Sequence, residues 1–118
     1  MRYVASREEM QQIDAYSINT MGIPGIVLME KAALALEEVF LERVPTKSRV
    51  LIVTEKGNNG GDGLALGRLL LEDGYNVDFY EIGAIPHDSD SHQIQKKVLE
   101  QMEAQFLICL LYTSDAAD

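Results

Sequence analysis

Chemistry-bearing residues are densest at Gly57-Asn58-Asn59-Gly60-Gly61-Asp62-Gly63. Four glycines in seven residues allow left-handed backbone and a close approach of main chain to a ligand. Amides at the start of a following helix would point outward without intrahelical partners, and the helix dipole adds partial positive charge there. Such a place binds phosphate. The two asparagines bring amide donors and carbonyl acceptors, and Asp62 brings a carboxylate that can also cap the helix. The plainer alternative is a tight strand-to-helix turn whose Asn and Asp only stabilise local backbone.

The flanking residues say what must position this segment. Val50-Leu51-Ile52-Val53 precedes it as an apolar run without alternation, which predicts a strand covered on both faces in a parallel sheet. Leu64 to Leu71 follows as a helix that runs to about Asp73 and stops at Gly74, with Gly67 allowing close packing on the sheet. Asn76-Val77-Asp78-Phe79-Tyr80-Glu81-Ile82 reads as a second strand, broken by Gly83 to Pro86. Asp88 to Ser91 offers an N-cap for a helix carrying Ile94, Val98 and Met102, and Gln105 to Ile108 begins a third strand.

Two helices lead in. Ser6-Arg7-Glu8-Glu9 is a capping-box pattern, opening a helix that carries Met10, Ile13 and Ser17 on one side and ends near Gly22. Asp14 on that helix reads as a solvated carboxylate. Pro24 suits a first helical turn. From there Met29, Ala33, Leu36 and Phe40 recur at helical spacing as the buried stripe, with Glu30, Glu37, Glu38 and Glu42 off it, and Val44-Pro45 closes the helix. Met29 reads as core rather than pocket wall. The order αα-βαβαβ implies parallel strands joined by right-handed crossovers, in a Rossmann-like α/β domain. Ligands of such sheets bind beyond the carboxyl ends of the strands, which is where the glycine-rich segment lies. Read from the residues alone, the ligand is phosphorylated and small, a nucleotide.

Bulk properties narrow the class. The chain of 118 residues allows one small domain, and 47% hydrophobic with 25% charged residues is ordinary globular composition. A net charge of −9 argues against nucleic acid and anionic membranes as partners. No apolar run is long enough to span a bilayer, and the first residues lack the apolar core of a secretory signal. A single cysteine, Cys109, excludes an internal disulfide framework and points to the cytoplasm. His87 and His92 lack the spacing of a zinc site and read as a solvated helix start, although Asp88, Asp90 and His92 form a weak metal alternative.

The glycine-rich segment resembles the signature loop of the NAD(P)H-hydrate epimerases, the YjeF N-terminal domain family. Glu9-Met10 with Ile13-Asp14 resembles that family's opening helix, and Gly22-Ile23-Pro24-Gly25-Ile26-Val27-Leu28-Met29-Glu30 resembles its second. The likeness runs from about Ser6 to Ile108 and corresponds to the first half of the family's domain. It implies a three-layer α/β/α fold with a parallel sheet and two N-terminal helices. The implied reaction interconverts the S and R forms of hydrated NADH and NADPH in nicotinamide-nucleotide repair. On this likeness Asn58, Asn59, Gly60, Gly61 and Asp62 bind substrate, and Asn59 is a potassium ligand, potassium being the implied cofactor. The family's essential aspartate falls beyond Ile108, so the catalytic residue is not in the chain and the piece is expected to be inactive. An ADP- or ATP-dependent NAD(P)H-hydrate dehydratase is the implied functional partner or fused domain, and the full-length protein is expected to be a homodimer.

Two other readings stay open. Gly61-Asp62-Gly63-Leu64-Ala65-Leu66-Gly67 is a GxGxxxG variant with Glu81 twenty residues on from Gly61, where an NAD(P)-binding oxidoreductase would hold a ribose hydroxyl. Domains with this likeness also serve as non-catalytic scaffolds. Residues 109–118, Cys109 to Asp118, resemble translated sequencing-adapter DNA and are expected to be a non-native tail, leaving 1–108 as the N-terminal part of the domain. A sheet interrupted after three strands would expose an edge and a face, so residues 1–108 alone are expected to aggregate.

Overall fold

A computed structural model describes residues 4–55, 58–82 and 90–108. The element order is α1 (Arg7–Asn19), α2 (Gly25–Arg43), β1 (Arg49–Glu55), α3 (Asn58–Glu72), β2 (Asn76–Ile82), α4 (Asp90–Gln101) and β3 (Gln105–Ile108). The expected sequence αα-βαβαβ is what forms.

The three strands are parallel in the order β1-β2-β3. Moving one strand at a time in one direction, right-handed crossovers put both connecting helices on the same face. The core sits there. Leu64 and Leu70 of α3, Leu99 of α4 and Val77 and Phe79 of β2 form one buried cluster with Tyr75. Phe79 stacks on Phe106 of β3, ring centroids 5.0 Å apart. The other face of the sheet carries no helix among the described residues. Leu51 is 58% exposed and Val53 54%. The expectation that β1 is covered on both faces is therefore corrected. Leu51 and Val53 are as apolar as Val50 and Ile52, so hydrophobicity along the strand does not say which faces are covered.

The leading helices behave differently from each other. Ser6 caps α1 as its sequence requires: the Glu9 N–H donates to Ser6 Oγ at 3.1 Å, and the Ser6 N–H donates to Glu9 Oε1 at 2.9 Å. Even so, α1 buries none of its residues. It turns at Gly22, whose φ of 75° is the left-handed conformation that glycine adopts without strain. Pro24 stands at the N-cap of α2 rather than inside its first turn. α2 packs on α3 through Met29, Ala33, Ala65 and Leu69. Beyond Ala33 its inward line continues through the half-buried Glu37 and Phe40, while Leu36 is exposed. The stripe was expected to include Leu36 and exclude Glu37. Both positions are compatible with a 3.6-residue period between Ala33 and Phe40, and packing on α3 selects the other one.

α4 is a second inversion. Ile94, Val98 and Met102, the apolar residues by which the sequence marks this helix, are exposed, and His92, Gln95 and Leu99 are the buried positions. Among the described residues, no helix is long and apolar enough to cross a membrane.

Candidate functional site

α3 begins at Asn58, so the Asn-Asn-Gly-Gly-Asp-Gly run forms its first turns and is not a loop ahead of it. The backbone amides of that first turn have no partners within the helix, and they stand just past the carboxyl end of β1. Asp62 is in the second turn, so it does not occupy the N-cap position foreseen for it. Gly57 lies outside the described residues, and of Asn58, Asn59 and Gly60 only the helical backbone is described.

Two glycines of this segment, Gly61 and Gly63, serve space rather than backbone freedom. Gly61 and Gly63 are helical, and the left-handed glycines among the described residues are Gly22 and Gly74. A Cβ on Gly61 would fall on the end of the Met29 side chain and lie 3.5 Å from His92 Cα. A Cβ on Gly63 would lie 2.8 Å from Thr54 Cγ2. Met29 is core, as read from sequence, and it is also the floor under Gly61. Gln95 Nε2 of α4 donates to its sulfur at 3.8 Å.

Beneath the segment is a buried polar group of residues. Thr54, Glu81 and His92 are all nearly inaccessible to solvent. Thr54 stands in register with Glu81 across β1 and β2. Glu81 Oε2 is 2.8 Å from Lys96 Nζ, and Oε1 is 3.9 Å from His92 Nε2. The Lys96 contact is ionic rather than a directed hydrogen bond, since both Glu81 oxygens lack an aligned donor. The hydroxyl of Thr54 also has no hydrogen-bond partner among the described residues.

His92 thus corrects the solvated helix start expected of it. It faces the sheet because it lies one and two turns before Gln95 and Leu99 on the inward side of α4. His87 and Asp88 lie outside the described residues. Among the described residues, no three His, Cys, Asp or Glu side chains come together as a metal-binding group. Thr54 and Lys96 were missed by the sequence reading. Strand parity carried part of the signal, because Val77, Phe79 and Glu81 alternate onto one face.

The electrostatics follow from burial and neighbours. Asp62 is half-buried, and loss of hydration raises its proton affinity above the usual carboxylate range. The nearby Asp14 carboxylate raises it further. Asp14 is exposed, as expected, but it stands within electrostatic reach of the glycine-rich segment. Arg68, farther along α3, is held by Glu30 of α2 and by Glu72 at 3.4 Å. Glu37 faces Asp73 across the α2–α3 seam, and their shared proton, with partial burial, pushes Glu37 up to about 7. Asp73 Oδ2 is buried with no hydrogen-bond partner among the described residues.

Comparisons with known proteins give a consistent picture. The profile described as YjeF-related protein N-terminus matches residues 25–109. The chain is 45% identical over 98 residues to a protein of Limosilactobacillus reuteri named NAD(P)H-hydrate epimerase, covering 82% of this chain and 46% of the relative. A protein of the same name from Weissella koreensis is 42% identical over 101 residues, covering 86% and 46%. The crystal structure of yeast ynu0, YNL200c, is similar with a TM-score of 0.72 and 26% identity, covering 91% of this chain and 47% of that one. The chain spans about half the length of the curated relatives it matches.

Proposed function

The chain belongs to the family described as YjeF-related protein N-terminus, and on that premise we propose that it is the N-terminal part of an NAD(P)H-hydrate epimerase. The reaction is interconversion of the S and R forms of hydrated NADH and NADPH. The observation that carries the reading is the start of α3 at Asn58, which presents unpartnered amides beyond the carboxyl end of β1. Asn58, Asn59, Gly60, Gly61 and Asp62 bind the substrate there. The half-buried Asp62 carboxylate, in the second turn of α3, suits orientation of a hydroxylated ring or ribose by hydrogen bonding.

Potassium is the cofactor of this reading, with Asn59 as a ligand. Oxygen donors suit it, and the unpartnered, buried Thr54 hydroxyl is one such donor at this end of β1. The ion would supply a fixed positive charge beside the anionic substrate. The chemical step, loss and return of the hydroxyl at C6, needs a proton donor and acceptor. The aspartate expected for it lies beyond Ile108. Residues 1–108 are thus the first part of the domain, and 109–118 a non-native tail outside the described residues. The complete protein is a cytoplasmic homodimer whose product passes to a dehydratase, free or fused.

The oxidoreductase alternative loses its best residue. Glu81 is buried and paired with Lys96, turned away from any ribose bound over α3. The test compares the 118-residue chain with the product of the gene extended past codon 108. ADP-ribose should shift the amide resonances of Gly61 and Asp62 in both, and only the longer product should epimerise the S hydrate. Turnover by the short chain would overturn the missing-aspartate reading. Binding without turnover by the longer product would favour a scaffold, and hydride transfer with undamaged NAD would favour the oxidoreductase.

A further inference from the structure

The glycine-rich segment is seated on a closed set of contacts. Gly63 rests on Thr54, and Thr54 is the register partner of Glu81. Glu81 reaches across to α4, 2.8 Å from Lys96 Nζ and 3.9 Å from His92 Nε2. α4 returns to the segment where the His92 backbone abuts Gly61. The ring passes through four of the elements around the site, α3, β1, β2 and α4, with Met29 of α2 beneath it.

A carboxylate held out of water is costly, and a pair of apolar side chains in its place is often no less stable. What an ion pair adds over apolar packing is a fixed partner, since a buried carboxylate left without its cation is strongly destabilising. Lys96 and His92 are four residues apart, on one face of α4, and both converge on one carboxylate at the end of β2. That convergence defines how far along β2 the helix sits. The position of its first turn then defines the room left for Gly61, where a side chain would meet Met29.

We propose that Glu81 is a positioning residue: through Lys96 and His92 it docks the first turn of α4 against Gly61, and so sets the geometry in which the glycine-rich segment meets its phosphorylated ligand. The inference rests on the reading of that segment as a nucleotide site. It adds residues that do not touch the ligand.

The test uses the product of the gene extended past codon 108, with three variants and ADP-ribose as the probe. Affinity is read by calorimetry, global stability by urea midpoint, and local opening by hydrogen exchange of the Gly61 to Leu64 amides. Glu81→Gln should weaken ADP-ribose binding about tenfold, the loss expected when one coupled contact is removed. It should also speed exchange at Gly61 to Leu64 more than at Leu69 and Leu70 of the same helix. The double variant Glu81→Met with Lys96→Met separates positioning from stability. Its urea midpoint should recover while ADP-ribose binding stays weak and exchange stays fast. Lys97→Met, on the exposed side of α4, should change none of these. Recovery of binding together with the midpoint in the double variant would overturn the proposal, as would unchanged exchange in Glu81→Gln. If the unmodified chain binds no ADP-ribose, the nucleotide reading fails instead, and the exchange comparison alone decides whether Glu81 positions the segment. If Glu81→Gln does not fold, the double variant decides.

Discussion

Along β1 the two faces of the sheet are both apolar, through Val50 and Ile52 on one side and Leu51 and Val53 on the other, and have opposite fates. On the covered face, Ile52, Phe79 and Phe106 lie under α3 and α4, and even hydrogen atoms are spent: Gly67 lacks a side chain because the Phe79 ring occupies that space. On the other face, Leu51 and Val53 are more than half exposed. Two helices crossing on one side account for the difference. The candidate site inherits it, since every contact that seats Gly61 and Gly63 belongs to the covered side. Removing bulk or adding it there should be felt at once, whereas the open face should be indifferent.

The largest expected effect tests the covered face. Phe79→Ala should cost about 3–5 kcal/mol in urea unfolding, the range for losing a buried aromatic ring. Gly67→Ala attacks the same contact from the other side and should cost about 1–3 kcal/mol by overpacking. Combining Gly67→Ala with Phe79→Leu should return part of that loss, because the smaller side chain leaves room for the added methyl. A purely additive double variant would mean that the two residues do not compete for one space.

The open face gives the contrasting result. Leu51→Lys with Val53→Thr should change unfolding stability by no more than about 0.5 kcal/mol, as surface substitutions usually do. It should also shift residues 1–108 from aggregates toward a monomer in size-exclusion chromatography, since an exposed apolar sheet face promotes association. A stability loss as large as that of Gly67→Ala would break the comparison and show this face to be buried in solution.

The smallest effect lies at the seam between α2 and α3, where covering is partial. Glu37 has its proton affinity raised from 4.5 to about 7, so the folded chain holds a proton that the unfolded chain releases earlier. Its contribution to stability is complete below pH 4.5 and is lost as pH rises toward 7. Thermal midpoints measured across that window should fall with rising pH, and Glu37→Gln should flatten the slope. The effect is modest because the pair is partly solvated. An unchanged slope would assign the pH dependence to other carboxyls.

How far the sequence could be read depended on how local the cause was. The capping box at Ser6, the turn at Gly22, the helix stop at Gly74 and the three parallel strands were legible, because each follows from a few neighbouring residues or from the βαβ connection. The place of Asn58 to Asp62 at the carboxyl end of β1 was legible for the same reason. The inward face of α4 was not: its apolar residues Ile94, Val98 and Met102 point out, and His92 points in. A helix turns to where its partners are, and here a buried carboxylate on β2 is one of them.

By itself, the sequence determined the element order, the parallel sheet, the place of the glycine-rich segment at the end of β1, and membership in a family. These rest on short-range sterics, hydrogen bonding and periodicity, which act between residues close in the chain. The tertiary structure alone decided which face of each element is inside, that Gly61 and Gly63 are needed for space rather than for backbone freedom, and that Thr54, Glu81, His92 and Lys96 meet. Those outcomes depend on excluded volume and desolvation among residues up to dozens of positions apart. Strand parity hints at the inward face of β2, and no local pattern carries the rest.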